Sequence, residues 1–294
     1  MSRRTPFRVP RTMRATLRAS RDRDSDAGEP SWWVRDVVIV LAVGLILTMT
    51  QAVLDDRREN YAQAREERRE RVARERADEA EQVADGLAED ARNFTLRLEN
   101  LRFVRALSRT GRVDRPFQEL DLSAMNLRSL RLDGADFRAA LLPQADLDRT
   151  LIRVGDLREA DLSRSTLRMA NLSGSDLEGA NLASSSMLYM TMRRAYVERA
   201  NLRGAFLMGS DLRRTYFNYS DLSGANLRSG DFRFARFYEA NLNGSLLVAA
   251  DLRHVLGLER ATLEGACYDA STKWPSTFAP PPMNAASCDR WAGQ

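Results

Sequence analysis

Residues 195–227 read AYVERANLRGAFLMGSDLRRTYFNYSDLSGANL, and every fifth residue from Val197 to Leu227 is large and apolar. The register runs on without a miss in both directions, from Phe117 to Leu252, which is 28 positions. In a chain that is 44% apolar, chance produces such a run with a probability of about 10⁻¹⁰. A second lane lies two residues earlier. From Ala135 to Ala250 it holds Ala, Ser, Thr or Gly at every step except Met190. Between the lanes stands Asp or Asn at most steps, as at Asp136, Asp156, Asn181, Asn201 and Asp211. A period of five matches neither the 3.6 of a helix nor the 2.0 of a strand. It matches a chain that turns a corner every five residues, placing one large and one small side chain inside each time. Coils of such a chain stack at the β spacing, ~4.8 Å.

The clearest units are Ala180-Asn181-Leu182, Ala200-Asn201-Leu202, Ala225-Asn226-Leu227 and Ala240-Asn241-Leu242. They resemble the A(D/N)LXX unit of the pentapeptide-repeat family. The resemblance covers about half of the chain. It implies an all-β solenoid over 117–269: a right-handed quadrilateral β-helix with four repeats per coil. The first coil is atypical, with Leu120, Met125 and Leu130 in the small lane, as expected of a capped solenoid end. After Leu252 the phase slips by one residue, to Leu258, Leu263 and Tyr268. Residues 270–294, with Trp274, Phe278 and Trp291, read as the far cap.

Upstream, the composition changes three times. Residues 1–31 are Arg-rich, punctuated by Pro6, Pro10, Gly28 and Pro30, and read as a disordered tail. Trp32 and Trp33 then open an apolar run, and Val37 to Leu54 carries no charge. At 1.5 Å per residue that run is about 27 Å long, the span of a bilayer core, and the two Trp suit its interface. Residues 32–54 therefore read as a single uncleaved transmembrane helix and the protein as a cell-membrane protein. Residues 55–110 read as a charged helical stalk. Ala73, Ala77, Ala80, Ala84, Leu87, Ala91, Phe94, Leu98 and Leu101 alternate in steps of four and three, a heptad seam. Two readings stay open and can coexist: homo-oligomerisation through a coiled coil, and a charged helix that docks its last two turns, Phe94 to Leu107, on the open end of the rod.

With positions 20 apart stacked, one column reads Arg193, Arg213, Arg233, Arg253, with Arg194 and Arg214 beside it. Stacked like charges repel, so the column is a candidate binding surface for phosphate, acidic lipid or acidic protein. The bland alternative is a solvated face relieved by neighbouring Asp. A second surface presents Met169, Leu188, Tyr189, Met208 and Val248, an apolar patch suited to a protein contact.

Catalytic chemistry is not supported. His254 is the only His, no cluster has metal-ligand spacing, and no phosphate-cradling Gly loop or nucleophile elbow is present. The repeated Asp suit turn hydrogen bonding better than acid–base work. No cofactor, metal or nucleic acid is expected. Cys267 and Cys288 are the only cysteines. A disulfide pinning the cap implies an oxidising compartment, whereas two free thiols imply the cytoplasm. Orientation signals conflict, with eight Arg before residue 24 and seven between Arg57 and Arg74. The balance favours the tail inside and the rod outside the cytoplasm.

The favoured function is a membrane-anchored, non-catalytic rod that presents a rigid surface to a protein partner. The family resemblance implies an alternative, a DNA mimic that binds gyrase. Such a mimic needs strong negative charge, yet residues 117–269 hold 19 Arg against 20 Asp plus Glu.

Overall fold

The computed structural model describes residues 32–109, 115–282, 288 and 291. The Arg-rich tail of residues 1–31, residues 110–114 and most of the chain after 282 lie outside them, as do the side chains of Trp32 and Trp33. The chain divides into two compact units, Met1–Val83 and Ala84–Gln294. A single helix, α1, runs over Trp32–Ser108. Within the first unit its described side chains are all exposed, from Asp36 through Val83. This part contains a window of mean hydropathy 2.5, long and apolar enough to cross a membrane. The seam positions Ala73, Ala77 and Ala80 are exposed as well.

The second unit is the solenoid, with the end of α1 as its first cap. From Pro116 the chain winds through parallel bridges between residues 20 apart: Pro116 to Asp136 to Asp156, Asp121 to Leu141, Asn126 to Asp146, Arg131 to Leu151. Four turns separate successive bridges in one column, so each coil has four sides. Side one follows the column Pro116–Leu256, side two Asp121–Thr262, side three Asn126–Cys267 and side four Arg131–Lys273. All large-lane residues from Phe117 to Leu252 are buried, none more than 1% exposed. From Ala135 to Ala250 the small lane is buried beside them.

Apart from those at Gly155 and Met190, each corner is a turn closed by a backbone bond from the small-lane N–H to the large-lane carbonyl three residues back, as from Ala160 to Leu157 (3.1 Å). Its third residue has positive φ throughout, from Glu119 (57°) to His254 (62°). Such turns require that conformation. The Asp or Asn before each large residue accepts the N–H two residues on, as Asp121 does from Ser123 (2.9 Å) and Asp161 from Ser163 (2.9 Å). On side two these groups also join coil to coil, Asn201 Nδ2 donating to Asn181 Oδ1 (3.1 Å) and Asn181 Nδ2 to Asp161 Oδ1 (3.0 Å).

Met190 departs from the small lane and is nevertheless buried. Its own turn bond is replaced. The Ser210 hydroxyl, one coil on, accepts from the Met190 N–H (3.2 Å) and donates to the Met187 carbonyl (2.7 Å). The same bridge recurs at Gly155, whose N–H donates to the Ser175 hydroxyl (3.1 Å) while that hydroxyl donates to the Ile152 carbonyl, so the device does not depend on a bulky small-lane residue.

At the first coil, Leu101 and Val104 of α1 are buried in the core, with Leu98 and Leu107 partly so. Asn100 Nδ2 donates to the Asp121 carbonyl (3.0 Å) and Arg105 to the Asn126 carbonyl (2.8 Å), and the Phe103 ring meets Phe117 edge-on at 5.8 Å. The enlarged small-lane residues Leu120, Met125 and Leu130 belong to this contact layer. Phe94 does not join it. It remains 49% exposed because the packed face begins one turn later, at Leu98.

At the far end Gly257 takes the expected large-lane position with φ 81°. A Cβ there would fall 2.7 Å from the Tyr238 backbone nitrogen, so only glycine fits. A 3-10 turn, Leu258–Arg260, absorbs the extra residue, and the next bridges join residues 21 and then 22 apart. Tyr268, Trp274 and Phe278 pack ring to ring over the last coil, with centroids 5.1 and 5.5 Å apart. The Sγ atoms of Cys267 and Cys288 are bonded at 1.98 Å.

Candidate functional site

The Arg193–Arg253 column on side four is not a bare cationic surface. Each arginine follows an Asp by two residues, except Arg193, which follows Thr191. Arg213 grips Asp211 with two bonds, 2.8 and 2.7 Å; Arg233 grips Asp231 at 2.9 and 2.8 Å; Arg253 grips Asp251 at 2.9 and 2.7 Å. Each carboxylate also meets the arginine of the preceding coil: Arg193 to Asp211 at 3.6 Å, Arg213 to Asp231 at 3.4 Å, Arg233 to Asp251 at 3.9 Å. The column is thus a ladder of alternating charge, which removes the repulsion expected of stacked arginines. Burial pushes the Asp211 carboxyl up. The Arg213 side-chain and backbone N–H bonds and the Arg193 charge outweigh this and hold it below the ordinary value. The Arg253 fork holds Asp251 down in the same way, against burial. The partner guanidiniums of Arg213, Arg233 and Arg253 are shifted up, chiefly by the same hydrogen bonds. The earlier coils repeat the device on side one, where Arg138 grips Asp136 and Arg158 grips Asp156.

The apolar surface lies together on side three. Met169 and Tyr189 are 51% and 54% exposed, Leu188 and Met208 half-buried, and the backbone bonds Met169 N–H to Leu188 O and Tyr189 N–H to Met208 O (both 3.0 Å) join three successive coils. Gly209 makes the patch flat. A Cβ on it would fall 2.6 Å from Tyr189 Cε1, so its absence lets the Tyr189 ring lie along the next coil. Phe206, 39% exposed, extends the patch. It escaped the sequence reading because its position normally carries the turn-capping Asp or Asn. Val248 lies two coils below Met208 in the same column, half-buried, separated from it by Arg228.

No group of three or more Asp, Glu, His or Cys able to hold a metal occurs among the described residues. A cleft of about 580 Å³ at the far end, between Leu258–Tyr268 and Phe278–Pro282, is lined mainly by apolar groups with Glu259 and Glu264.

The family model for pentapeptide repeats matches residues 155–187 and 192–228, in eight copies. The chain belongs to the pentapeptide-repeat family. Solved pentapeptide-repeat structures resemble it. QnrB1, a plasmid-mediated fluoroquinolone resistance protein, is 18% identical, covers 53% of this chain and 80% of its own, and superposes with a TM-score of 0.45. HetL of the cyanobacterium Nostoc sp. strain PCC 7120, involved in heterocyst differentiation regulation, is 26% identical over 54% of this chain and 86% of its own, with a TM-score of 0.30. A further pentapeptide-repeat protein from Nostoc PCC 7120 is 36% identical over 30% of this chain and 77% of its own, with a TM-score of 0.17. At such TM-scores the likeness says nothing of function. None of the curated proteins matches the chain.

Proposed function

We propose that this pentapeptide-repeat protein is a membrane-anchored, non-catalytic rod that binds a protein partner through side three. The observation that carries this reading is the apolar patch of Met169, Leu188, Tyr189, Phe206 and Met208 on a rigid β surface. A contiguous apolar patch on a soluble face is a hallmark of protein contact. The anchor is the apolar window of α1, read as a single span over 32–54. The exposed seam from Ala73 to Ala91 is the surface through which two copies would pair. The bonded Cys267 and Cys288 favour an oxidising compartment, and hence a rod outside the cytoplasm. A gyrase-binding DNA mimic is disfavoured by the ladders. A mimic needs free carboxylates, and Asp136, Asp156, Asp211, Asp231 and Asp251 each hold an arginine.

A photoreactive amino acid at Tyr189, irradiated in intact membranes, is expected to yield one discrete adduct that disappears with Met208→Ser. Absence of any adduct at Tyr189 and at Phe206 alike would sink the reading. Protease added to spheroplasts is expected to remove the rod. Survival of the rod until lysis would place it in the cytoplasm.

A further inference from the structure

The corner where side four runs into side one changes character along the rod. In the early coils it carries Asp133, Asp136, Asp156 and Asp176, three of them gripped by Arg153, Arg138 and Arg158. In the later coils it carries arginine and aromatic residues. Beyond the ladder arginines, which are occupied by Asp, three more stand exposed there: Arg194, Arg214 and Arg236. Among the described residues no carboxylate pairs with any of the three. Two are held on rings instead. Arg236 lies over Tyr216 at 4.9 Å, and Tyr216 stacks on Tyr196 at 4.9 Å with planes 14° apart. Arg214 lies over Phe234 at 5.8 Å, and Phe234 stacks on His254 at 4.9 Å with planes 10° apart.

A guanidinium resting on a ring keeps its N–H groups free for an acceptor, while the stack restrains its rotamers. Less ordering entropy is then lost when a carboxylate or phosphate binds. We propose that Arg194, Arg214 and Arg236 form a binding strip for an acidic peptide segment of a partner protein. Two features select a peptide over single-stranded nucleic acid. Affinity for single strands comes largely from bases stacking on open aromatic faces. Here Tyr216 lies between Tyr196 and Arg236, and Phe234 between His254 and Arg214, so only the outer faces of Tyr196 and His254 remain open to a base. In addition Asp211, Asp231 and Asp251 stand beside the strip, where a continuous phosphate backbone meets them and a peptide with spaced acids does not. The inference rests on the reading of the rod as a binding module but uses a different face from the apolar patch.

The test uses the full chain in nanodiscs of phosphatidylcholine. The probe is a peptide of about twelve residues with alternating Glu and Ser, carrying a photoreactive group so that contacts are mapped apart from the arginines before residue 31. The native chain is expected to bind and to crosslink within 190–256. The triple variant Arg194→Gln, Arg214→Gln, Arg236→Gln is expected to lose at least about tenfold in affinity. A control with the same charge change on other sides, Arg149→Gln, Arg164→Gln, Arg228→Gln, is expected to stay within about twofold. Arg214→Lys with Arg236→Lys keeps the charge without the planar fork and is expected to lose about threefold. Equal loss in both Gln triples, native affinity in the Lys variant, or no binding by the native chain would overturn the strip. Oligothymidylate bound more tightly than the peptide, with the same sensitivity, would overturn the peptide assignment in favour of nucleic acid. A Tyr189 adduct without peptide binding would remove the strip alone and leave the binding-rod reading standing.

Discussion

Val154 shows what a corner asks of a residue. Its φ is 54°, its side chain is 74% exposed, and β-branching makes that conformation costly. The corner is set by the lanes on either side, Ile152 and Gly155, so the residue between them accepts strain that its own preference rejects. Val154→Gly removes the strain and loses almost no buried surface. It is expected to stabilise the rod by about 0.5–1 kcal/mol, which thermal unfolding of the purified protein would show as a higher Tm. A lower Tm would mean that the exposed valine contributes contacts absent from its surroundings here. The same scale explains why Asp and Asn recur. Their oxygens accept the N–H two residues on, a local bond that any turn of this kind uses. That role was legible in the sequence, because the residues recur at one phase. The pairing of Arg213 with Asp211 was less so, because a spacing of two does not say that both side chains lean together.

The coil is the element that matters, and its ladders carry the acid sensitivity. Asp133, Asp156 and Asp251 are each held below the ordinary carboxylate value by an arginine fork, against burial. A carboxyl whose folded value is depressed contributes stability that is fully present above its unfolded value, about 3.9, and lost as pH falls through the folded value. The Tm is therefore expected to be flat from about pH 7 to pH 5 and to fall below about pH 4. A fall beginning near pH 6 would point away from the ladders. At the same scale, the end of α1 resolves one of two open readings. Leu98, Leu101 and Val104 pack on the first coil, whereas Ala73 to Phe94 stay exposed. The heptad pattern did not separate the two, because both need apolar residues at the same spacing.

For the whole rod, stability is a sum over coils and their nearest neighbours. Leu172 is fully buried in the middle of the stack. Leu172→Arg places an unpaired charge there and is expected to cost several kcal/mol, at least about 3. Its signature is local. Hydrogen exchange should lose protection in the three adjacent coils that hold Ile152, Leu172 and Met192 before it does so at the ends. Uniform loss across all coils would show that the rod unfolds as one unit.

The sequence by itself determined a solenoid with a corner every five residues, the one-residue slip after Leu252 and the apolar window of α1, while the family resemblance implied the twenty-residue coil. Period and hydropathy are properties of the chain taken in order, and an inside narrow enough for one large and one small residue leaves a single way to satisfy them. The tertiary structure decided what the surface offers. Whether an arginine meets an Asp two residues back, a ring twenty residues away or solvent depends on side-chain direction across stacked coils, as Arg213, Arg236 and Arg194 respectively show. Stacking brings those partners within reach, and no linear pattern encodes which of them wins.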